Sequence, residues 1–215
     1  MDRFKKLLMN NEAWVTEKLN LDKEYFRKQY DEQHPPYLWI GCADSRVPPD
    51  EITGTHAGDM FVHRNIANIV SHADLNLMSV LEYGILSLKV DHIIVCGHTH
   101  CGGVKAALGH RKLGIIDKWI RGIKDVYHNH RDELDQLEDE NKVWDKLVEL
   151  NVKDQVMNLA KTSFVQKRWA EGDFPVLHGW VYHLEDGKIE AVSKITRDTE
   201  IDDIYRYNFD EEPTL

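Results

Sequence analysis

The sequence has few cysteines, no surplus of positive charge and no long apolar run. Its three cysteines are an odd number and cannot all pair. A chain of 215 residues also needs no disulfide staples, because it buries most of the surface it exposes unfolded. In a reducing compartment, Cys near His reads better as metal ligation or catalysis than as a disulfide. The 27 Lys and Arg are outnumbered by 37 Asp and Glu, giving a formal charge of −10. That disfavours nucleic acid and anionic membrane surfaces as partners. No apolar run is long enough to span a bilayer, and none after Met1 reads as a signal-peptide core. The expected compartment is the cytoplasm. Repeats, low-complexity tracts and domain linkers are absent too. A single domain is therefore expected, with a helical arm over 1–34, a core over 35–200 and a tail over 201–215.

The patterning that is present is that of an α/β protein. Phe4, Leu7, Leu8, Trp14, Val15 and Leu19 recur at helical spacing among Lys, Glu and Asn, so the first thirty residues predict an amphipathic helix. Its apolar face must pack on its own domain or on a partner subunit. Pro35-Pro36 ends it. Tyr37–Gly41, Asp59–Arg64 and Val90–Cys96 predict strands, and Asp74–Leu88 a helix capped by Ser71 or Asp74. Strand, helix and strand at this spacing imply parallel pairing. Val47-Pro48-Pro49 is expected to prevent regular structure. Further helices are expected over Ile116–His128, Lys142–Leu150 and Val152–Ala170, the last ended by Gly172-Asp173. Pro175–Leu184 predicts a strand, Glu185-Asp186-Gly187-Lys188 a hairpin turn, and Ile189–Ile195 an antiparallel edge strand. The acidic tail from Phe209 to Leu215 is expected to fray.

Two of the strands deliver ligand-type residues at their carboxyl ends, where open α/β sheets build sites. The first runs into Cys42-Ala43-Asp44-Ser45-Arg46. The second runs into Cys96-Gly97-His98-Thr99-His100-Cys101-Gly102-Gly103. Cys42, His98 and Cys101 fit a Cys₂His zinc set, and three protein ligands leave a fourth tetrahedral position open, as in catalytic zinc. Gly102 and Gly103 let the backbone approach a bound group. The plainer alternative is two buried small residues and a loop histidine. Two strand-end cysteines, a Gly-rich turn and a nearby charged pair outweigh it.

That pair is Asp44 and Arg46. Arg46 can hold Asp44 bidentately and keep it an ionised acceptor. Asp44 can then orient a zinc-bound hydroxide or, swung the other way, fill the open zinc position. A phosphate-binding nucleophile loop is disfavoured: three residues separate Cys42 from Arg46 where such loops have five, and the prolines are expected to deny it a helix N-terminus. Cys96, on the strand, reads as buried structure, and His100 as a solvated loop residue. The other histidines show no ligand spacing.

The Cys42–Arg46 and His98–Gly103 motifs, with Phe61-Val62-His63-Arg64-Asn65-Ile66-Ala67-Asn68 and His178-Gly179-Trp180-Val181-Tyr182, resemble the β-class carbonic anhydrases. The resemblance runs from about Trp39 to Tyr182. It implies one zinc per chain on Cys42, His98 and Cys101, with Asp44 and Arg46 as the catalytic dyad. It implies an α/β fold: a mainly parallel central sheet with an antiparallel edge strand, flanked by helices. The N-terminal helix would pack on a partner subunit, in a homodimer or a dimer-of-dimers tetramer. Position by position, Gln33 matches a substrate-binding amide, and Phe61 and Tyr83 match pocket walls. Ile66 stands where valine is more usual, and Gly102 joins this substrate pocket. Trp39, Arg64 and Tyr182 match an inhibitory bicarbonate site found in some members, in which Asp44 becomes the fourth zinc ligand of an inactive form. Nothing is carried over to Arg121–Asp145.

The implied activity is reversible hydration of carbon dioxide to bicarbonate and a proton by zinc-bound hydroxide, with allosteric bicarbonate inhibition. Two thiolates neutralise the zinc charge, so activity is expected to rise above neutral pH. The alternatives are a carbon disulfide-type hydrolase on the same scaffold and a non-enzymatic structural zinc module.

Overall fold

The structure, a computed structural model, describes residues 2–209. The last six residues of the acidic tail, 210–215, lie outside the described residues. The chain divides into two units, Met1–His34 and Pro35–Leu215.

In the first unit α1 spans Arg3–Leu21 and buries none of its residues. Asp2 caps it by accepting the N–H of Phe4 at 3.1 Å. Trp14 of the helix packs edge to face with Tyr25 and Phe26, which follow it, with ring centroids 5.1–6.2 Å apart.

The second unit is built on a five-stranded sheet. In chain order its elements are β1 (Tyr37–Cys42), α2 (Pro49–Thr53), β2 (Met60–Asn65), α3 (Leu75–Glu82), β3 (His92–His98), α4 (Gly102–Leu108), α5 (Ile116–Trp119), α6 (Arg121–Asn129), α7 (Arg131–Leu134), α8 (Glu140–Ala160), α9 (Ser163–Glu171), β4 (Val176–Tyr182) and β5 (Ile189–Ile195). The strand order is β2-β1-β3-β4-β5. The first four strands are parallel, and β5 returns antiparallel along β4. The expected strand–helix–strand unit is present, but β2 and β3 do not pair with each other. Both pair with β1, which lies between them.

The strands read as continuous apolar runs because both faces are covered. On one face Leu38, Ile40, Ile93, Val95 and Leu177 pack with Leu147, Val148, Val152, Val156 and Leu159 of α8. On the other, Trp39, Ile94 and Cys96 form a smaller cluster with Trp180 and Tyr182 beside it. Helix α8 lies very close to the sheet at Val152. A Cβ on Gly97 would come within 2.6 Å of a Val152 methyl, and one on Gly179 within 2.9 Å.

Several expectations need correction. The prolines after Val47 do not prevent a helix: Pro49 is the first residue of α2, where its missing N–H costs nothing and its fixed φ suits the turn. The helix expected over Ile116–His128 breaks at the buried Ile120 into α5 and α6. The two helices expected on either side of Asn151 are one, α8. Asn151 and Gln155 interrupt its apolar stripe but are buried and bonded. Asn151 donates to the carbonyl of Ala67 at 3.2 Å, and Gln155 accepts the N–H of Val70 at 2.8 Å. The break falls instead at Thr162, which caps α9. The helix expected to run to Leu88 stays α-helical only to Glu82 and ends in a π-helical turn, Tyr83–Ser87. Among the described residues no helix is long and apolar enough to cross a membrane.

Candidate metal centre

Because β1 and β3 are parallel neighbours, their carboxyl ends lie side by side, with Gly41 in register with Cys96. Cys42 ends β1, His98 ends β3, and Cys101 immediately precedes α4. Their ligand atoms all lie within 4.8 Å of one another, and all three residues are buried. The two sulfurs are 3.9 Å apart and not joined by a disulfide. Among the described residues no other group of three His, Cys, Asp or Glu side chains could hold a metal ion.

The protonation chemistry suits a cation. Nδ1 of His98 sits 2.9 Å from the carbonyl of Thr99. A proton on Nδ1 donated there leaves Nε2 with its lone pair, and that Nε2 is buried without a hydrogen-bond partner. A buried imidazole nitrogen left like this carries a desolvation penalty unless something binds it. The thiols act as a pair. The hydrogen bond from Cys101, then His98, pulls Cys42 well below the ordinary thiol range. The same contact, with burial, pushes Cys101 up. The pair gives up its first proton readily and its second only to a positive charge.

Beside the group, Asp44 is gripped by Arg46. Arg46 Nε donates to Oδ1 at 2.9 Å, Nη2 to Oδ2 at 2.7 Å, and the Arg46 backbone N–H to Oδ1 at 3.0 Å. The guanidinium holds the Asp44 carboxyl well below the usual carboxylate range. Its Oδ2 lies 3.7 Å from His98 Nε2. The loop carrying Asp44 is tied to β2: Arg64 donates through Nε to the carbonyl of Cys42 at 2.9 Å and through Nη2 to that of Asp44.

The family model for carbonic anhydrase matches residues 37–189. A carbonic anhydrase of Emericella nidulans is 50% identical over 188 residues, covering 87% of this chain and 82% of that protein. A crystal structure of a tetrameric β-carbonic anhydrase from Sordaria macrospora matches with a TM-score of 0.85 at 38% identity, covering 89% of this chain and 98% of that one. The chain belongs to the β-class carbonic anhydrases. The Coccomyxa β-carbonic anhydrase, solved with acetazolamide, is similarly close: TM-score 0.86, 40% identity, 91% of this chain and 89% of that one.

The other residues that the resemblance points to fall in four places. Ile66 adjoins the centre: its Cγ2 would meet a Cβ on Gly103 at 2.9 Å, while Gly102 faces open space. Phe61 and Tyr83 pack on each other with ring centroids 5.8 Å apart. Trp39 and Tyr182 share the apolar cluster on the opposite face of the sheet, with Cys96. Burial there pushes the Cys96 thiol up, in keeping with a structural role. Gln33 belongs to the first unit. His100 is exposed, as expected, and its ring also lies edge-on to Trp144, at 4.6 Å between centroids. Sequence reasoning missed Trp144 and Asp145, which bond the ligand loop directly. They lie in the acidic stretch to which nothing was assigned, and no local motif marks them.

Proposed function

We propose that the chain catalyses zinc-dependent, reversible hydration of carbon dioxide to bicarbonate and a proton. The observation that carries this is the buried Cys42–His98–Cys101 group beside an Arg-held carboxylate. Tetrahedral zinc with Zn–S bonds of about 2.3 Å requires sulfurs roughly 3.8 Å apart, and here they are 3.9 Å apart. One zinc per chain, held by these three residues, would supply a nucleophile near neutral pH by acidifying a water.

The chain's own residues do the rest. Asp44, kept ionised by Arg46, accepts a hydrogen bond from the attacking group and aims its lone pair at carbon. Ile66, Phe61 and Tyr83 give the apolar walls that suit carbon dioxide, with Gly102 leaving room beside the centre. An Asp44 that left Arg46 would become a fourth metal ligand and close the site.

One feature supports inhibitory bicarbonate binding at Trp39, Arg64 and Tyr182. The Trp39 indole N–H is buried without a partner, and a side chain on Gly41 would collide with it. An anion bonded there and to Arg64 would draw the guanidinium from the carbonyls of Cys42 and Asp44. That would loosen the loop on which Asp44 is held.

The exposed apolar face of α1 supports assembly as a homodimer or a dimer-of-dimers tetramer. Three free thiols support a reducing, cytoplasmic setting. The domain division is an arm over 1–34, a core over 35–200 and a tail over 201–215.

The test is stopped-flow hydration of carbon dioxide by zinc-loaded protein at pH 7 and pH 8.5, with and without bicarbonate. Expected is fast hydration at the higher pH, suppressed by bicarbonate at the lower. Hydration insensitive to bicarbonate beyond product inhibition removes the allosteric site and leaves the enzyme. No hydration, with one zinc bound, sinks the activity. A panel including carbon disulfide then tests the related hydrolase.

A further inference from the structure

The ligand loop is gripped from outside by two consecutive residues of α8. Trp144, buried in the core, donates its indole N–H to the carbonyl of Cys101 at 2.9 Å. Asp145 accepts the backbone N–H of His100 on Oδ1 at 3.0 Å. The two contacts thus fall on neighbouring loop residues, one of them a candidate ligand. His100 adopts φ +54°, a left-handed conformation that a non-glycine residue keeps only when its surroundings over-determine it. Here they do: its ring lies edge-on to Trp144, and its Nε2 is 3.9 Å from Asp145 Oδ2. Lys105, one turn into α4, places its ammonium 4.4 Å over the same indole. The loop has a second anchor on the far side, where Thr99 bonds the end of β4 through the carbonyl of Tyr182 and the N–H of Leu184.

The Asp145 side chain is about one-third exposed, at 34%, so its bond to His100 buries little apolar surface. The indole N–H, buried with its ring, is satisfied by the carbonyl of a candidate ligand residue. The geometry points to Trp144 and Asp145 as positioning residues that fix the Cys101 sulfur for the metal and so set how tightly the metal is retained. This inference rests on the zinc reading. Groups that orient ligands in this way typically control metal affinity by about 10–100-fold.

The experiment uses the full chain and the variants Trp144→Phe, Asp145→Ala and Asp145→Asn. The first keeps an aromatic ring and removes the N–H. The second removes the acceptor for His100, and the third keeps an acceptor oxygen without the charge. Two quantities are read: the rate of zinc release to a chromogenic chelator, and the thiolate-to-cobalt absorption of the cobalt-substituted protein. Trp144→Phe and Asp145→Ala are expected to release zinc about 10–100-fold faster, with displaced cobalt bands. Asp145→Asn is expected to stay close to the parent chain in both. If Trp144→Phe fails to fold, the Asp145 pair decides alone. Folded variants with the parent's release rate and cobalt spectrum overturn the clamp. So does an Asp145→Asn protein as impaired as Asp145→Ala, which would assign the effect to charge. A parent chain that takes up no zinc overturns the zinc reading as well. One that holds zinc beside equally retentive variants overturns the clamp only.

Discussion

At the scale of single residues, the decisive atoms are the lone pair on His98 Nε2 and the shared proton between Cys42 and Cys101. The first thiol ionises easily, whereas burial and its neighbour hold the proton on the second. Zinc uptake near neutral pH should therefore release about one proton, since metal must displace what the second thiol still holds. Calorimetry at about pH 6, in buffers of different ionisation enthalpy, counts it with a bound water still protonated; two protons there would mean that the pair starts fully protonated. Asp44 has an ordinary value of 3.8 and is held below it, first by Arg46. A carboxylate depressed in the folded state adds stability that is fully present above about pH 4 and lost as pH falls through the folded value. Arg46 is exposed, so the amount is small. Melting curves of Asp44→Asn and the parent should converge in acid, below pH 4. At pH 8.5 the same variant should keep its zinc and lose about 100-fold or more in hydration rate, the range for a positioned proton acceptor. Retained activity would remove Asp44 from the mechanism, while stability loss with no activity to lose in the parent would favour a structural zinc module.

At the scale of elements, the close approach of α8 to the sheet dictates what each glycine tolerates. Gly179→Ala must push against Val152, Ser193 and Val156, all within 3.1 Å of the new methyl. It should cost about 1–3 kcal/mol, the usual penalty of overpacking. Gly122→Ala, in α6, meets nothing within 4 Å and should stabilise by roughly 0.5–1 kcal/mol through helix propensity. Urea midpoints with unchanged slopes measure both. This packing also explains what could be read from the sequence. The strands were legible because each is a short apolar run bounded by turn residues, and β5 was placed at Ile189–Ile195. The Cys42–Arg46 and His98–Cys101 motifs were legible because each is local and sits at a strand end. Helix α8 was not legible as one helix, because Asn151 looks like a break until the carbonyl of Ala67 comes into view. Nor was the contact between His100 and Asp145, which joins residues 45 positions apart.

At the scale of the whole molecule, the ion and the assembly should dominate stability. A ligand bound only by the folded state raises the melting temperature, and stripping zinc with a chelator should lower it reversibly. Light scattering should give a mass of two or four times the 25.1 kDa chain. Removal of residues 1–34 should reduce that number, since α1 carries exposed Phe4, Leu7, Leu8 and Met9. An unchanged mass would assign the assembly to the sheet unit.

The central position of β1 has a consequence in time. It is the first strand of the sheet to be made, yet it pairs on both sides with strands made after it. Cys42 leaves the ribosome 59 residues before Cys101. At about 5–20 residues per second, that is roughly 3–12 seconds in which the first thiol waits for its partners. Helix α8, which braces the loop of Cys101, emerges later still. All three candidate ligands therefore leave the ribosome before the helix and the two strands that complete the sheet around them.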